Sequence, residues 1–176
     1  DAFPYDAIRK AGYHPAVYGQ RTFNGVGILS RVEPVSVIRG MEDGVDDPQA
    51  RFLAAQVGGV HVISAYVPNG QVVGSVQYAY KLEWLRRLRA FLETRFAPDM
   101  PLIVCGDFNV ARDNKDVASP AAWKDSVLCD TTCREALDEL LSWGLVDVLR
   151  EQHPEGGLYS WWDYRMLAFP KNDGLR

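Results

Sequence analysis

"LIVCGDFN", residues 102–109, is an apolar run that stops at a glycine and then presents Asp107 and Asn109 two residues apart. Leu102 to Cys105 reads as a short buried strand, and in α/β folds ligands gather just beyond the carboxyl ends of strands. Residues two apart in an extended chain point the same way, so Asp107 and Asn109 are expected to face a common point. A carboxylate there can orient or deprotonate a water, or bind a cation. The amide can donate to an oxygen where charge develops. That pair suits hydrolysis of a phosphate ester. The same residues also have a plain structural reading, because Gly, Asp and Asn tolerate unusual backbone angles and are favoured in turns. Taken alone, Gly-Asp-x-Asn leaves both readings open.

Working outward, Gln77 to Phe96 reads as a helix. Leu85, Leu88, Leu92 and Phe96 form an apolar stripe, with Trp84 and Phe91 beside it. Its exposed side is expected to carry Lys81, Arg86, Arg87, Arg89 and Arg95 against Glu83 and Glu93, as a solvated face. Cys133 to Trp143 reads as a second amphipathic helix, ended at Gly144 and capped by Thr131 or Thr132. Upstream, Arg51–Val57 and Val60–Val67 read as strands joined at Gly58-Gly59. The second is apolar on both faces, as a central, covered strand would be, and His61 within it reads as structural. Asp6 to Ala11 reads as a short helix closed by Gly12, and Phe23-Asn24-Gly25 as the turn of a hairpin. Pro34 to Arg39 is a further β-branched run. Residues 40–50, "GMEDGVDDPQA", form an acidic loop without the ordered ligand spacing of a calcium loop. Strands broken by two long helices indicate an α/β layered domain, taken as one domain over 1–176.

Composition narrows the function. The chain has 176 residues, 47% hydrophobic and 24% charged, which fits one globular domain. A net charge of −4 argues against a protein that coats nucleic acid by charge alone. It leaves room for an enzyme that binds phosphates in one local cleft. Cys105, Cys129 and Cys133 are odd in number and read as buried or idle thiols. With His14, His61 and His153 scattered, no zinc spacing is present. No apolar run approaches the ~20 residues that span a bilayer, so a protein of the cell interior is expected. The start at Asp1 and the stop directly after Gly174 suggest an incomplete chain.

Two more elements bear on the choice. "AYVPNG", 65–70, brings a phenol, Tyr66, and an amide, Asn69, off a strand at a turn; Tyr66 could bond a phosphate oxygen and Asn69 the backbone of a nucleic-acid strand. "SWWDYR", 160–165, sets two tryptophans beside an arginine, a combination that can wall a pocket for a base or sugar, with core packing as the alternative for one of them. In this order and spacing, "AYVPNG", "GDFNVA" (106–111), "SWGLVDVLR" (142–150), "SWWDYR" and "GLR" (174–176) resemble the exonuclease III and apurinic/apyrimidinic endonuclease family. That family belongs to the endonuclease/exonuclease/phosphatase superfamily of metal-dependent phosphoesterases. Looser similarity covers "NGVGILS" (24–30) and "ARFLAA" (50–55).

The resemblance implies a four-layer αββα sandwich, DNase I-like, incomplete at both termini. It implies that Tyr66 contacts the scissile phosphate, Asp107 activates the attacking water and Asn109 stabilises the transition state. Magnesium or manganese would sit beside Asp107 and Asn109. Trp161 and Leu175 would line an abasic-sugar pocket, with Asn69 and Arg51 nearer the DNA backbone. The implied activity is a DNA-repair phosphodiesterase acting on double-stranded DNA at abasic sites or from 3′ ends, as a monomer with no membrane partner. It would work in the cytoplasm of a bacterium or the nucleus of a eukaryote. The family's asparagine and metal-binding glutamate lie upstream of Asp1, and its catalytic aspartate and Asp-His pair lie beyond Arg176. The segment alone is therefore expected to be inactive, with strand edges exposed. The rivals are a phosphoesterase of the same superfamily acting on inositol phosphate, lipid or nucleotide, and a non-catalytic DNA-binding module.

Overall fold

The computed structural model describes residues 3–176 and divides into two compact units, one of Asp1–Val67 with Asp99–Phe108 and one of Pro68–Pro98 with Asn109–Arg176. Both contain helices and strands, the α/β class expected.

The first unit opens with helix α1 (Tyr5–Lys10), then strands β1 (His14–Gly19) and β2 (Gly25–Ser30). These pair antiparallel about a turn at Phe23 and Asn24, both at positive φ, where an Asn-Gly hairpin was expected. Strands β3 (Val35–Arg39), β4 (Phe52–Val57), β5 (Val60–Tyr66) and β6 (Leu102–Asp107) form one sheet in the order β3-β4-β5-β6. The first three run antiparallel and β5–β6 parallel. The hairpin packs on one face of this sheet, with Ala16, Val26 and Ile28 against Leu53 and Ala55 and with Val62 and Tyr66 beside them. β5 is the covered, central strand expected: Ile63, Ala65 and Val67 are buried on its other face. β6 corrects an expectation. It ends the sheet order, so Ile103, Cys105 and Asp107 are exposed on one face, where Leu102–Cys105 was read as buried. Cys105 is accordingly an exposed thiol, while Cys129 and Cys133 are buried, and all three are free.

In the second unit, helix α2 (Val76–Arg95) starts at Ser75, whose hydroxyl accepts from the Tyr78 amide at 3.1 Å. Trp84, Leu85, Leu88, Phe91 and Leu92 are buried along it. Two of its cations are buried as well: Lys81 at 0% and Arg87 at 6% exposure. Both were expected on the solvated face. Lys81 stands one turn before Trp84 and Leu85, and Arg87 one turn before Phe91, so helical periodicity puts both on the inward stripe. Short α3 (Pro120–Trp123) precedes α4 (Thr131–Leu141), which packs on α2 and buries Cys133, Leu137 and Leu140. Its cap is Asp130, not a threonine; the carboxylate accepts from the Cys133 amide at 3.1 Å and from the Tyr78 hydroxyl at 2.7 Å. Helix α5 (Val148–Gln152) and the two-residue strands β7 (Trp161–Trp162) and β8 (Gly174–Leu175), paired antiparallel, complete the unit. No helix among the described residues is long and apolar enough to cross a membrane.

One glycine is structurally compelled. A Cβ on Gly106, at φ +138°, would stand 1.9 Å from the Ala65 carbonyl oxygen on β5. Gly106→Ala is expected to force β6 away from β5 and to cost upward of ~3 kcal/mol. Urea unfolding of the variant measures this, and a midpoint equal to wild type would show the close approach to be dispensable.

Candidate active site

The parallel register of β5 with β6 sets Tyr66 directly opposite Asp107. Register partners project from the same face of a sheet, about 5 Å apart along the hydrogen-bonding direction, so the two side chains leave the sheet as neighbours. Both stand at carboxyl ends of their strands, where α/β proteins gather ligands. The Val67 amide donates to the Asp107 carbonyl at 2.9 Å and carries the ladder one step past the strand. Arg51 is on Tyr66 itself: its guanidinium lies 4.6 Å from the ring centroid and donates to the Tyr66 carbonyl at 3.3 Å. Gln49 accepts from Arg51 Nε at 2.7 Å and from Asn24 Nδ2 at 3.1 Å. This Asn24–Gln49–Arg51 chain braces the phenol from behind. Only Arg51 of its members was picked out in the sequence, and for a different contact.

The second unit holds the amides. Asn69 Nδ2 donates to Asn109 Oδ1 at 3.1 Å, while Asn69 Oδ1 accepts from the Gln71 amide at 3.1 Å, an Asx turn over the Pro-Asn-Gly bend. Asn109 is not extended: its φ is +50°, a left-handed conformation that Asn tolerates better than most residues. The extended-chain argument for Asp107 and Asn109 facing one point therefore fails, because the strand ends at Asp107. What survives is covalent reach, since two peptide units hold the Cα atoms of Asp107 and Asn109 within about 7 Å. The bond from Asn69 occupies the Oδ1 end of Asn109 and turns its donating Nδ2 end the other way. Beneath both amides, buried Lys81 donates to the carbonyls of Asn69 at 3.1 Å and Asn109 at 2.6 Å.

Trp161 and Leu175 are register partners on β7 and β8, so these two expected residues are brought together as well. They differ in access. Trp161 is 45% exposed and meets Trp123 edge to face at 6.4 Å, whereas Leu175 is 5% exposed and packs with Ala111, Val117 and Cys129. Trp162 packs on Phe169 at 5.1 Å, and Arg165 pairs with Asp163 at 2.9 Å. Behind β8, Arg176 donates to Asp147 at 2.7 and 2.9 Å and to Asp116 at 2.6 Å, and Arg150 also binds the fully buried Asp116.

Asp107 is a hard oxygen donor of the kind magnesium takes. Among the described residues, however, no three His, Cys, Asp or Glu side chains gather where one ion could be held.

The model of the Endonuclease/Exonuclease/phosphatase family matches residues 1–176, and the chain belongs to that family. It is 31% identical to an exodeoxyribonuclease of Bacillus subtilis over 89% of its own length and 62% of that protein's. Among solved structures it superposes with TM-score 0.94 on an AP endonuclease from Archaeoglobus fulgidus, at 36% identity over 99% of this chain and 68% of that one. A 3′ phosphatase, NExo, from Neisseria bound to product DNA hairpin matches with TM-score 0.93 and 40% identity, over 100% of this chain and 68% of that one. The DNase I-like α/β fold expected from the sequence is borne out.

The Arg176 bonds, ahead of the opposing cost of burial, hold the Asp147 carboxyl below the usual carboxylate range. A depressed folded-state pKa stabilises the fold above the unfolded value near ~4 and stops doing so as pH falls through the folded value. Asp147→Asn keeps an amide oxygen able to cap α5 but removes the charge. It is expected to cost about 2 kcal/mol at pH 7, with the deficit shrinking below pH ~4. Chemical denaturation of both proteins at stepped pH checks this, and a deficit independent of pH would contradict the ion pair.

Proposed function

We propose that the whole protein of which this chain is part is a DNA-repair phosphodiesterase, hydrolysing duplex DNA at abasic sites or processing its 3′ ends. The observation that supports it best is the in-register pairing of Tyr66 with Asp107 at the ends of β5 and β6 in a chain of this family. The named activities of its relatives, an exodeoxyribonuclease, an AP endonuclease and a 3′ phosphatase bound to a DNA hairpin, supply the substrate class.

In this reading the Tyr66 hydroxyl donates to a non-bridging oxygen of the scissile phosphate, oriented by Arg51 stacked on its ring. Asp107 accepts the proton of the attacking water, so that hydroxide forms only where the phosphorus can receive it. Asn109 presents Nδ2–H toward the oxygen on which charge accumulates, which favours the transition state over the ground state. Asn69, the partner that fixes the Asn109 amide, also stands exposed toward the DNA backbone, and Trp161 offers a flat apolar wall to a sugar that lacks its base. The reading includes a requirement for magnesium or manganese, with Asp107 as one ligand and the rest supplied from outside residues 1–176. It includes as well a monomeric enzyme, one domain built from both units, and an inactive 176-residue segment.

Whole protein is expected to cut abasic duplex DNA with magnesium and to stop in EDTA. Asp107→Ala should lower kcat by at least ~10³-fold while DNA affinity stays within a few-fold. Parallel assays on inositol phosphates cover the rival phosphoesterase. Folded whole protein that binds abasic DNA without cutting it would leave the DNA-binding module as the answer.

A further inference from the structure

Lys81 is the one expected surface cation that the fold buries completely while aiming it at two site-bearing loops. A buried ammonium is costly unless each of its donors is used, so chains keep one where it holds something in place. Two backbone carbonyls accept from it. One belongs to Asn69 in the turn after β5, the other to Asn109 in the loop after β6. These segments directly follow the paired strands β5 and β6, and their side chains are bonded as well, Asn69 Nδ2 to Asn109 Oδ1. Asn109 sits at φ +50°, a backbone state that needs its surroundings to hold it.

The space around the amine is shaped for this task. At Gly70, φ +87°, a Cβ would stand 2.9 Å from Lys81 Cδ and 2.9 Å from Val127 Cγ2, so the turn can close over the lysine stem only as glycine. The charge is felt further in. Burial pushes the Cys133 thiol up to about 11, and Lys81 opposes that rise, as a cation nearby must.

We propose that Lys81 is a positioning residue: its ammonium clamps the Asn69 and Asn109 carbonyls together and so fixes the direction in which the Asn109 amide donates. This rests on the phosphodiesterase reading for the catalytic use of Asn109, though the clamp itself does not. Lys81 touches no reacting atom. It sets the backbone from which Asn109 reaches the phosphate, where a misplacement of about 1 Å is enough to slow reaction on the order of 100-fold.

The test uses the whole protein and abasic duplex DNA. Lys81→Met keeps the stem and removes the donors; kcat should fall on the order of 10- to 100-fold with KM within about threefold. In the free protein, the side-chain amide signals of Asn69 and Asn109 in a ¹⁵N–¹H spectrum should move. Lys81→Arg, whose fork can reach two carbonyls, should recover most of kcat and the original signals. It is also the variant that decides if Lys81→Met does not fold. Lys81→Met turning over within twofold of wild type with both amide signals unmoved overturns the proposal. So does a folded Lys81→Arg protein with displaced amide signals and undiminished kcat. If wild type cuts no DNA, the functional reading fails separately, and the amide signals alone then decide the clamp.

Discussion

The parallel pairing of β5 with β6 is the constraint on which the first unit's chemistry depends. It places Tyr66 opposite Asp107, and it requires Gly106, because any side chain there would collide with the Ala65 carbonyl. The glycine of Gly-Asp-x-Asn is therefore a packing requirement of the strand pair before it is a turn residue. The two readings of the motif that the sequence leaves open are both partly right. Gly106 serves the sheet, Asp107 ends the strand, and Asn109 lies beyond it in a left-handed turn.

Within each unit, polar residues tied to the site hold other residues. Arg51 lies on the Tyr66 ring, Gln49 and Asn24 stand behind Arg51, Asn69 orients Asn109, and Lys81 sits under both. The Asp116, Asp147, Arg150 and Arg176 group does the same for β8. Polar groups bonded to one another in this way hold the loops that carry them in one arrangement.

What could be read from the sequence was local. The Phe23-Asn24-Gly25 turn, the strands flanking Gly58-Gly59 and the helix beginning near Gln77 announce themselves through short-range rules of turn residues, alternation and periodicity. The family resemblance named Tyr66, Asp107, Asn69 and Asn109, and the structure groups them as Tyr66 with Asp107 and Asn69 with Asn109. The register that pairs Tyr66 with Asp107 joins strands separated by a twenty-residue helix, and no local rule specifies it. A helical stripe of apolar residues alone leaves Lys81 on the solvated face, although its spacing from Trp84 and Leu85 points inward. Asp130, Thr131 and Thr132 are all competent caps for α4, and only the folded backbone shows that the Cys133 amide reaches Asp130. Leu102–Cys105 was read as buried from its apolarity, whereas its place at the end of the sheet order leaves Ile103 53% exposed.

The central claim is that the Tyr66–Asp107 pair is where a phosphodiester is held and attacked. A crystal structure of the whole protein with an abasic DNA hairpin tests it most directly. The account predicts the reactive phosphate within hydrogen-bonding distance of the Tyr66 hydroxyl, about 2.7 Å, with Asp107 beside it on the side from which water attacks. A phosphate lodged away from both side chains in a cleavage-competent complex would contradict it.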